Sequence, residues 1–203
     1  MAMSAGCNPL LAPPTTPATA RLLAIADVAV LPSDLPSGPV RYELDNGKLL
    51  IFPVPDGIRA GVVASFAAEL KVQGERGGFG KSRCGEVAII LWRNPDRLVG
   101  ADVVFYGNSS LPLRLSAEEY LETIPDLIVE VRTQYNGRPE INQKVNDYLA
   151  AGARVLGIAD AATEIVTEYR PGQPARVYTI NDTLTVEDII PGFQMPVRQV
   201  FEI

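Results

Sequence analysis

The strongest constraint on the fold is the order of apolar runs along the chain. Two runs flank the Asn46-Gly47 turn, which predicts a β-hairpin because both residues tolerate the positive φ of a tight turn. A helical pattern follows, then short strands, a second helix that ends before Gly152, and further strands. This order predicts an α/β or α+β domain in which helices flank a mixed β-sheet. The segments are 41–52, 62–70, 86–92, 98–106, 127–131, 139–151, 155–159, 164–169 and 177–180.

The ends and length of the chain predict one folded domain. Residues 1–20 are rich in Pro, Ala and Thr and carry no charge, which is typical of a disordered tail. Residues 21–203 are long enough for a single domain with a sizeable core, beginning with a short helix within 21–31. No apolar run approaches the ~18 residues of a membrane span, so we expect a cytoplasmic protein. Cys7 and Cys84 fit that setting, with Cys84 expected in the core.

The absence of histidine restricts the chemistry. None occurs among the 203 residues, which excludes Ser-His-Asp and Cys-His nucleophile systems within this chain. Zinc sites that need histidine are excluded as well, and two cysteines cannot form a four-cysteine site. An enzyme with this composition must use carboxylates, lysine, arginine or tyrosine. The formal net charge of −6 differs from that of most nucleic-acid binders, so DNA binding would need a local positive face or bound cations.

Three acidic residues, Glu43, Asp102 and Glu130, interrupt apolar strands. An ionised carboxylate inside a core must be paired, hydrogen-bonded or metal-bound. For each residue alone, the alternative is a position on the solvent side of a half-exposed strand. Neighbouring strands lie ~4.8 Å apart, so Asp102 and Glu130 on adjacent strands could share a cation. Hard divalent ions such as Mg²⁺ prefer such oxygen ligands.

Two helix signals complete the pattern. Lys144 lies about 60° around the second helix from Ile141, beside the buried stripe, and can reach along it toward the sheet. The alternative for Lys144 is a solvated lysine whose stem passes over apolar neighbours. The run from Ser116 to Glu119 resembles a capping box, which predicts a helix start.

Five motifs follow one another along the chain. They are Tyr42-Glu43-Leu44 with Asn46-Gly47, Ala101-Asp102-Val103, Pro125 to Val131, Gln143-Lys144-Val145 with Tyr148 to Gly152, and Ile189 to Phe193. In this order they resemble the motifs of the bacterial Uma-two family of restriction-endonuclease-like proteins. The resemblance extends from about Arg41 to Phe201, which is most of the predicted domain.

The resemblance implies a PD-(D/E)XK nuclease core that cleaves phosphodiester bonds with Mg²⁺ or Mn²⁺, and DNA is the expected substrate. Carried over residue by residue, it implies that Asp102, Glu130 and the backbone carbonyl of Val131 are metal ligands. Glu43 is then a further catalytic residue, an acidic side chain that adds charge to the metal site. Lys144 is the lysine that positions water or stabilises transition-state charge. The implied partner is nucleic acid and not a membrane, and a homodimer would suit an enzyme that cuts both strands.

Three positions depart from the family pattern. Ala101 replaces the proline of the PD pair. Arg132 occupies the position of the superfamily lysine, and because arginine cannot act as a general base, we expect it to contact phosphate or a carboxylate. Arg59 falls where many relatives have histidine. Arg132 and Arg59 are therefore the candidate substrate contacts.

Two other functions stay open at this stage. The acidic net charge and Arg132 favour a non-catalytic nuclease-fold binding or interaction module. A glycosidase-like carboxylate pair is a third alternative, which no motif supports.

Overall fold

The computed structural model describes residues 21–54, 56–133 and 138–202. The predicted disordered tail, with Cys7, lies outside these ranges. In chain order the strands are β1 (Asp34–Leu35), β2 (Gly38–Asp45), β3 (Lys48–Pro53), β4 (Gly80–Trp92), β5 (Arg97–Gly107), β6 (Leu127–Arg132), β7 (Val155–Asp160), β8 (Ile165–Tyr169), β9 (Arg176–Tyr178), β10 (Thr183–Leu184) and β11 (Met195–Pro196). The helices are α1 (Ile25–Val28), α2 (Gly57–Glu69), a π-helical segment (Leu70–Glu75), a 3₁₀ turn (Asn108–Ser110), α3 (Arg138–Ala151) and α4 (Val197–Phe201). No helix in the described ranges is long and apolar enough to cross a membrane.

Within the described ranges, nine strands form one branched, mostly antiparallel sheet. Its main path runs β1-β2-β5-β6-β7-β8-β9, while β3 pairs with β2 and β4 with β5. β6 and β7 are parallel, and α3 makes the crossover that a parallel pair requires. The hairpin at Asn46-Gly47 forms as predicted, with Asp45 opposite Lys48. The predicted fold class, a mixed sheet flanked by helices with an N-terminal hairpin and C-terminal strands, is confirmed.

Helices cover both faces of the central strands. Phe105 packs in one apolar cluster with Phe66 of α2, and Val104 packs in another with Tyr148 of α3. Every residue of β5 is consequently buried. This excludes the solvated alternative for the two central carboxylates, because Asp102 is 1% and Glu130 2% exposed.

The short helix predicted within 21–31 forms as α1, and the Asp27 carboxylate caps its N-terminus by accepting the Ala24 N–H. Two other local expectations were wrong. Ser116 starts no helix, because a bridge between Leu115 and Leu121 closes the segment into a turn. Cys84 is exposed instead of buried.

Glu75 joins the end of the π-helical segment to β4. Its Oε1 accepts hydrogen bonds from Lys71 Nζ at 2.8 Å and Lys81 Nζ at 3.3 Å. Its Oε2 accepts from the backbone N–H and hydroxyl of Ser82, each at 3.2 Å. These bonds, with the one from Lys71 as the largest cause, lower the pKa of Glu75 to about 2.

Glu75→Gln is expected to lower the free energy of unfolding by about 1 kcal/mol at neutral pH, because charge-assisted hydrogen bonds are lost. The folded-state pKa lies below the ordinary value of 4.5. The stabilisation is therefore present above that value and disappears as the pH falls toward 2. Urea denaturation across this range measures the effect, with the exposed Glu202→Gln as control. A stability difference unchanged by acid would contradict the assignment.

Candidate active site

Asp102 and Glu130 come from neighbouring antiparallel strands and lie at the same end of their pairing. The β5–β6 register matches Val103 with Val129, so each carboxylate lies one residue beyond that matched pair. The backbone N–H of Val131 donates to Asp102 Oδ2 at 2.7 Å, which ties the side chain of one strand to the backbone of the other. The pairing expected from the sequence is therefore present.

Lys144 and Tyr148 reach this pair from α3, where residues four apart share a helix face. Lys144 Nζ lies 3.3 Å from Glu130 Oε1 and 2.8 Å from Glu43 Oε1. It also donates to the carbonyl oxygen of Gly100 at 3.0 Å. The Tyr148 hydroxyl donates to Glu130 Oε1 at 2.6 Å. The Lys144 ammonium thus connects two of the predicted carboxylates, Glu43 and Glu130. Asp102 lies next to Glu130 on the neighbouring strand.

Arg59 enters the same site from the first turn of α2. Its Nε donates to Asp102 Oδ1 at 2.8 Å. Its Nη2 lies 3.1 Å from Glu86 Oε1 and 3.8 Å from Glu130 Oε2. Arg59 itself is only 6% exposed. The guanidinium is therefore a buried cation between Asp102 and Glu130.

Two further arginines approach from the sheet. Arg41 Nη1 lies 3.1 Å from Glu43 Oε1 and 2.9 Å from Glu86 Oε2, and its guanidinium stacks over the Phe52 ring at 4.5 Å. Arg97 Nη1 lies 3.8 Å from Glu43 Oε2. Among the described residues, that Glu43 oxygen has no hydrogen-bond donor. Arg97 Nε also lies 2.8 Å from Asp147 Oδ2, so five carboxylates and four cations of the described chain form one continuous network. Sequence reasoning missed Glu86, Arg41, Arg97 and Tyr148 as site residues.

A β-bulge brings Glu86 into the site. Cys84 pairs with Val103 and Val87 with Ala101, so two residues of β4 stand opposite Asp102 alone. Both have positive φ, +91° at Gly85 and +58° at Glu86. A glycine inside a strand pattern indicates a bulge, and bulges often redirect side chains next to active sites. Gly85 was therefore the one sequence signal for Glu86.

The buried charges shift one another's pKa values. Burial raises the pKa of Glu130 to about 7, although the Lys144 ammonium acts in the opposite direction. Burial also acts to raise the pKa of Glu43, but Lys144 and Arg41 hold it below its ordinary value. Burial acts to lower the pKa of Lys144, but Glu130 and Glu43 raise it above its ordinary value. Lys144 is therefore a permanent cation at neutral pH, and Glu130 can exchange a proton there.

The approach to the site is narrow. A cavity of about 20 Å³ lies beside Glu130, Lys144 and Arg59, which is enough for one water molecule. A groove of about 240 Å³ between the β2–β3 hairpin and α3 shares Phe52 and Lys144 with this cavity. The groove is the side from which an extended ligand can approach Lys144.

The remaining predicted residues have less central positions. Arg132 forms an ion pair with Asp160 of β7, so it contacts a carboxylate, which was one of the two partners expected for it. The structure shows Val131 holding Asp102 through its N–H, while the role of its carbonyl as a metal ligand stays a prediction. A separate groove of about 920 Å³ beside β8 and β9 contains none of the predicted site residues.

The chemistry of the donors fits a hard divalent cation. Asp102 and Glu130 offer carboxylate oxygens, and Arg59 shows that a positive group is accommodated between them. In the described part of the chain, no three acidic or cysteine side chains converge closely enough to hold a metal ion. Backbone or water oxygens would therefore have to complete the coordination shell of a metal held by Asp102 and Glu130. The Arg59 guanidinium lies between these two carboxylates.

The mixed sheet carries buried carboxylates and an adjoining helix lysine, and its fold is similar to that of a putative nuclease. Residues 31–198 match the family Uma2, described as "Putative restriction endonuclease", and the chain belongs to this family. Its fold is similar to that in the crystal structure of a putative nuclease belonging to DUF820 from Anabaena variabilis. The TM-score is 0.68 at 15% identity, covering 84% of this chain and 93% of the other. The comparison with curated proteins gave no match.

Proposed function

We propose that this protein is a metal-dependent endonuclease that hydrolyses phosphodiester bonds in DNA, with Mg²⁺ or Mn²⁺ as cofactor. The observation that carries the proposal is the Lys144 ammonium, which is held between Glu43 and Glu130 beside Asp102. Membership of a family described as a restriction endonuclease supports a nuclease-like function. A cytoplasmic location and a homodimer that cuts both strands belong to the same proposal.

The metal would be held by carboxylate oxygens of Asp102 and Glu130, with the Val131 carbonyl as a third donor. A divalent cation bound there supplies Lewis-acid polarisation of a phosphoryl oxygen. The chain's own contribution begins with orientation. Tyr148 and Lys144 hold Glu130 Oε1, and the Val131 N–H holds Asp102 Oδ2. Both carboxylates are thereby fixed before a substrate arrives.

Lys144 contributes a positive charge to the reaction and does not act as a base. The carboxylates beside it raise its pKa, so the ammonium keeps its proton and can stabilise the negative charge that grows on phosphoryl oxygens. Arg41 lines the same small cavity and is braced by Phe52, which makes it a second cation facing the reacting group. Arg59 and Arg132 remain candidate substrate contacts, although each must leave its carboxylate partner to serve.

The test uses the full chain after removal of metal with EDTA. We expect supercoiled plasmid to be nicked or linearised when millimolar Mg²⁺ or Mn²⁺ is added, and to stay intact in EDTA. Single-stranded DNA and RNA of matched sequence are assayed in parallel to define the substrate. No cleavage of any of these nucleic acids with either metal would contradict the proposal.

The alternative is a non-catalytic nuclease-fold binding module. The observation that favours it is Arg59, whose contacts with both metal-ligand candidates supply positive charge there without a metal. Calorimetric titration of Mg²⁺, with and without DNA, separates the two functions. Binding of DNA that is independent of metal and produces no cleavage would favour the module.

A further inference from the structure

Arg59 occupies the position that a bound cation would need. The guanidinium is 2.8 Å from Asp102 Oδ1 and 3.8 Å from Glu130 Oε2, while Asp102 Oδ2 already accepts the Val131 N–H. Both oxygens of Asp102 are therefore engaged. A divalent cation that joined Asp102 to Glu130 would lie against the guanidinium and be repelled by it.

We propose that Arg59 is an internal counter-cation that competes with the metal, and that metal binding requires Arg59 to leave Asp102 and turn fully onto Glu86. This inference rests on the proposed function and names the residue that regulates its metal site. Arg59 is then a positioning residue, because it acts on metal through the carboxylates it releases.

Glu86 is suited to receive the displaced guanidinium. Its Oε1 already lies 3.1 Å from Arg59 Nη2, so Arg59 needs to leave Asp102 and Glu130 and improve a contact that already exists. Among the described residues, neither oxygen of Glu86 accepts a well-directed hydrogen bond, although its side chain is only 17% exposed. Such a buried acceptor has unused capacity for a bidentate guanidinium. The positive φ of Glu86 shows that the backbone adopts an uncommon conformation to present this carboxylate.

Displacement of Arg59 would also open the site. Arg59 forms part of the wall of the cavity of about 20 Å³ beside Glu130 and Lys144. Its rotation toward Glu86 would widen that cavity on the side of α2. Release of Asp102 and access to the carboxylates would therefore be linked to the same side-chain movement.

The competition predicts weak metal binding by the natural protein. Apparent affinity is reduced by the fraction of molecules in which Asp102 is free, so a fraction of about one tenth weakens binding about tenfold. Removal of the guanidinium charge should recover this factor.

The experiment measures Mn²⁺ binding to the EDTA-stripped full chain without DNA, by calorimetry and by the electron paramagnetic resonance signal of free Mn²⁺. Arg59→Gln is expected to bind Mn²⁺ about tenfold more tightly than the natural chain. Arg59→Lys keeps the charge but lacks the planar fork, so its dissociation constant should lie between the two. Arg170→Gln is the control, because it removes one guanidinium charge at the end of β8, where Arg170 pairs with Glu168 and Asp188. It should leave the dissociation constant for Mn²⁺ unchanged.

A cycle with Glu86 tests the destination of Arg59. Glu86→Gln alone should weaken Mn²⁺ binding, because the displaced guanidinium loses its acceptor. The same change in the Arg59→Gln background should have a smaller effect, since no guanidinium remains to be received. An equal effect in both backgrounds would show that Glu86 acts only through its charge and would overturn this part of the proposal.

The remaining outcomes separate the inference from the proposed function. If the natural chain binds Mn²⁺ and cleaves DNA, but Arg59→Gln and Arg59→Lys bind no more tightly, the competition is overturned and the nuclease proposal stands. If no variant binds Mn²⁺, both the competition and the metal dependence are overturned. Circular dichroism melting verifies that each variant is folded, and Arg59→Lys supplies the result should Arg59→Gln fail to fold.

Discussion

Glu130→Gln is expected to slow metal-dependent DNA cleavage by more than about 100-fold. Loss of a residue that only hydrogen-bonds a metal ligand costs about 10- to 100-fold, and Glu130 is itself a proposed ligand. The amide keeps the shape of the carboxylate and can still accept the bonds from Tyr148 and Lys144. What it loses is the negative charge that would hold the metal beside Asp102. Plasmid cleavage under single-turnover conditions measures the change.

The same substitution should not destabilise the metal-free protein at neutral pH. Burial raises the folded-state pKa of Glu130 to about 7, above its ordinary value of 4.5. Ionisation of Glu130 therefore costs stability that is absent below 4.5 and grows as the pH rises toward 7. The melting temperature of Glu130→Gln in EDTA should consequently rise relative to that of the natural chain over this interval.

The matched control for this experiment is Glu122→Gln. Glu122 pairs with Arg93 on the surface, 3.0 Å away, and should affect neither cleavage nor the pH dependence of stability. A Glu130→Gln protein that cleaves DNA at the natural rate would remove Glu130 from the site. Loss of cleavage together with general unfolding would be attributed to the fold and not to the metal.

The sequence was sufficient to predict the site residues whose burial follows from the apolar strand that contains them. Glu43, Asp102 and Glu130 interrupt apolar runs, and their family motifs place them in order along the chain. Lys144 could be placed because a helix fixes which residues share a face. The structure brings all four together, and it does so through elements that the apolar pattern had located.

The sequence was insufficient where the position of a side chain depends on how two elements pair. Glu86 faces the site because two residues of β4 stand opposite one of β5, a register shift that apolar periodicity does not encode. Arg59 reaches Asp102 across 43 positions of sequence, once α2 has packed on the sheet. Arg41 and Arg97 are charged residues on strands, which are usually solvated. Arg97 is buried and Arg41 partly buried because carboxylates surround them.

Lys144→Met is expected to have the largest effect on stability. Its ammonium is the shared partner of Glu43 and Glu130, which are 1% and 2% exposed. Removal of one partner from a buried ion pair costs about 3–5 kcal/mol, because the remaining charge is left uncompensated. Methionine has a similar length and keeps the apolar contacts of the lysine stem. Urea denaturation in EDTA measures the change, and DNA cleavage should be lost as well.

The cause of that instability can be isolated by a second substitution. Glu43→Gln in the Lys144→Met background removes a carboxylate that has lost its nearest cation and keeps only Arg41 and Arg97. The two changes should therefore be coupled by about 0.5–3 kcal/mol in the free energy of unfolding. Lys71→Met is the surface control, because Lys71 is half exposed in its pair with Glu75 and should cost less than about 1 kcal/mol. Additive effects of Lys144→Met and Glu43→Gln would contradict the buried pair, since they would mean that the ammonium stabilises the fold through contacts other than this carboxylate.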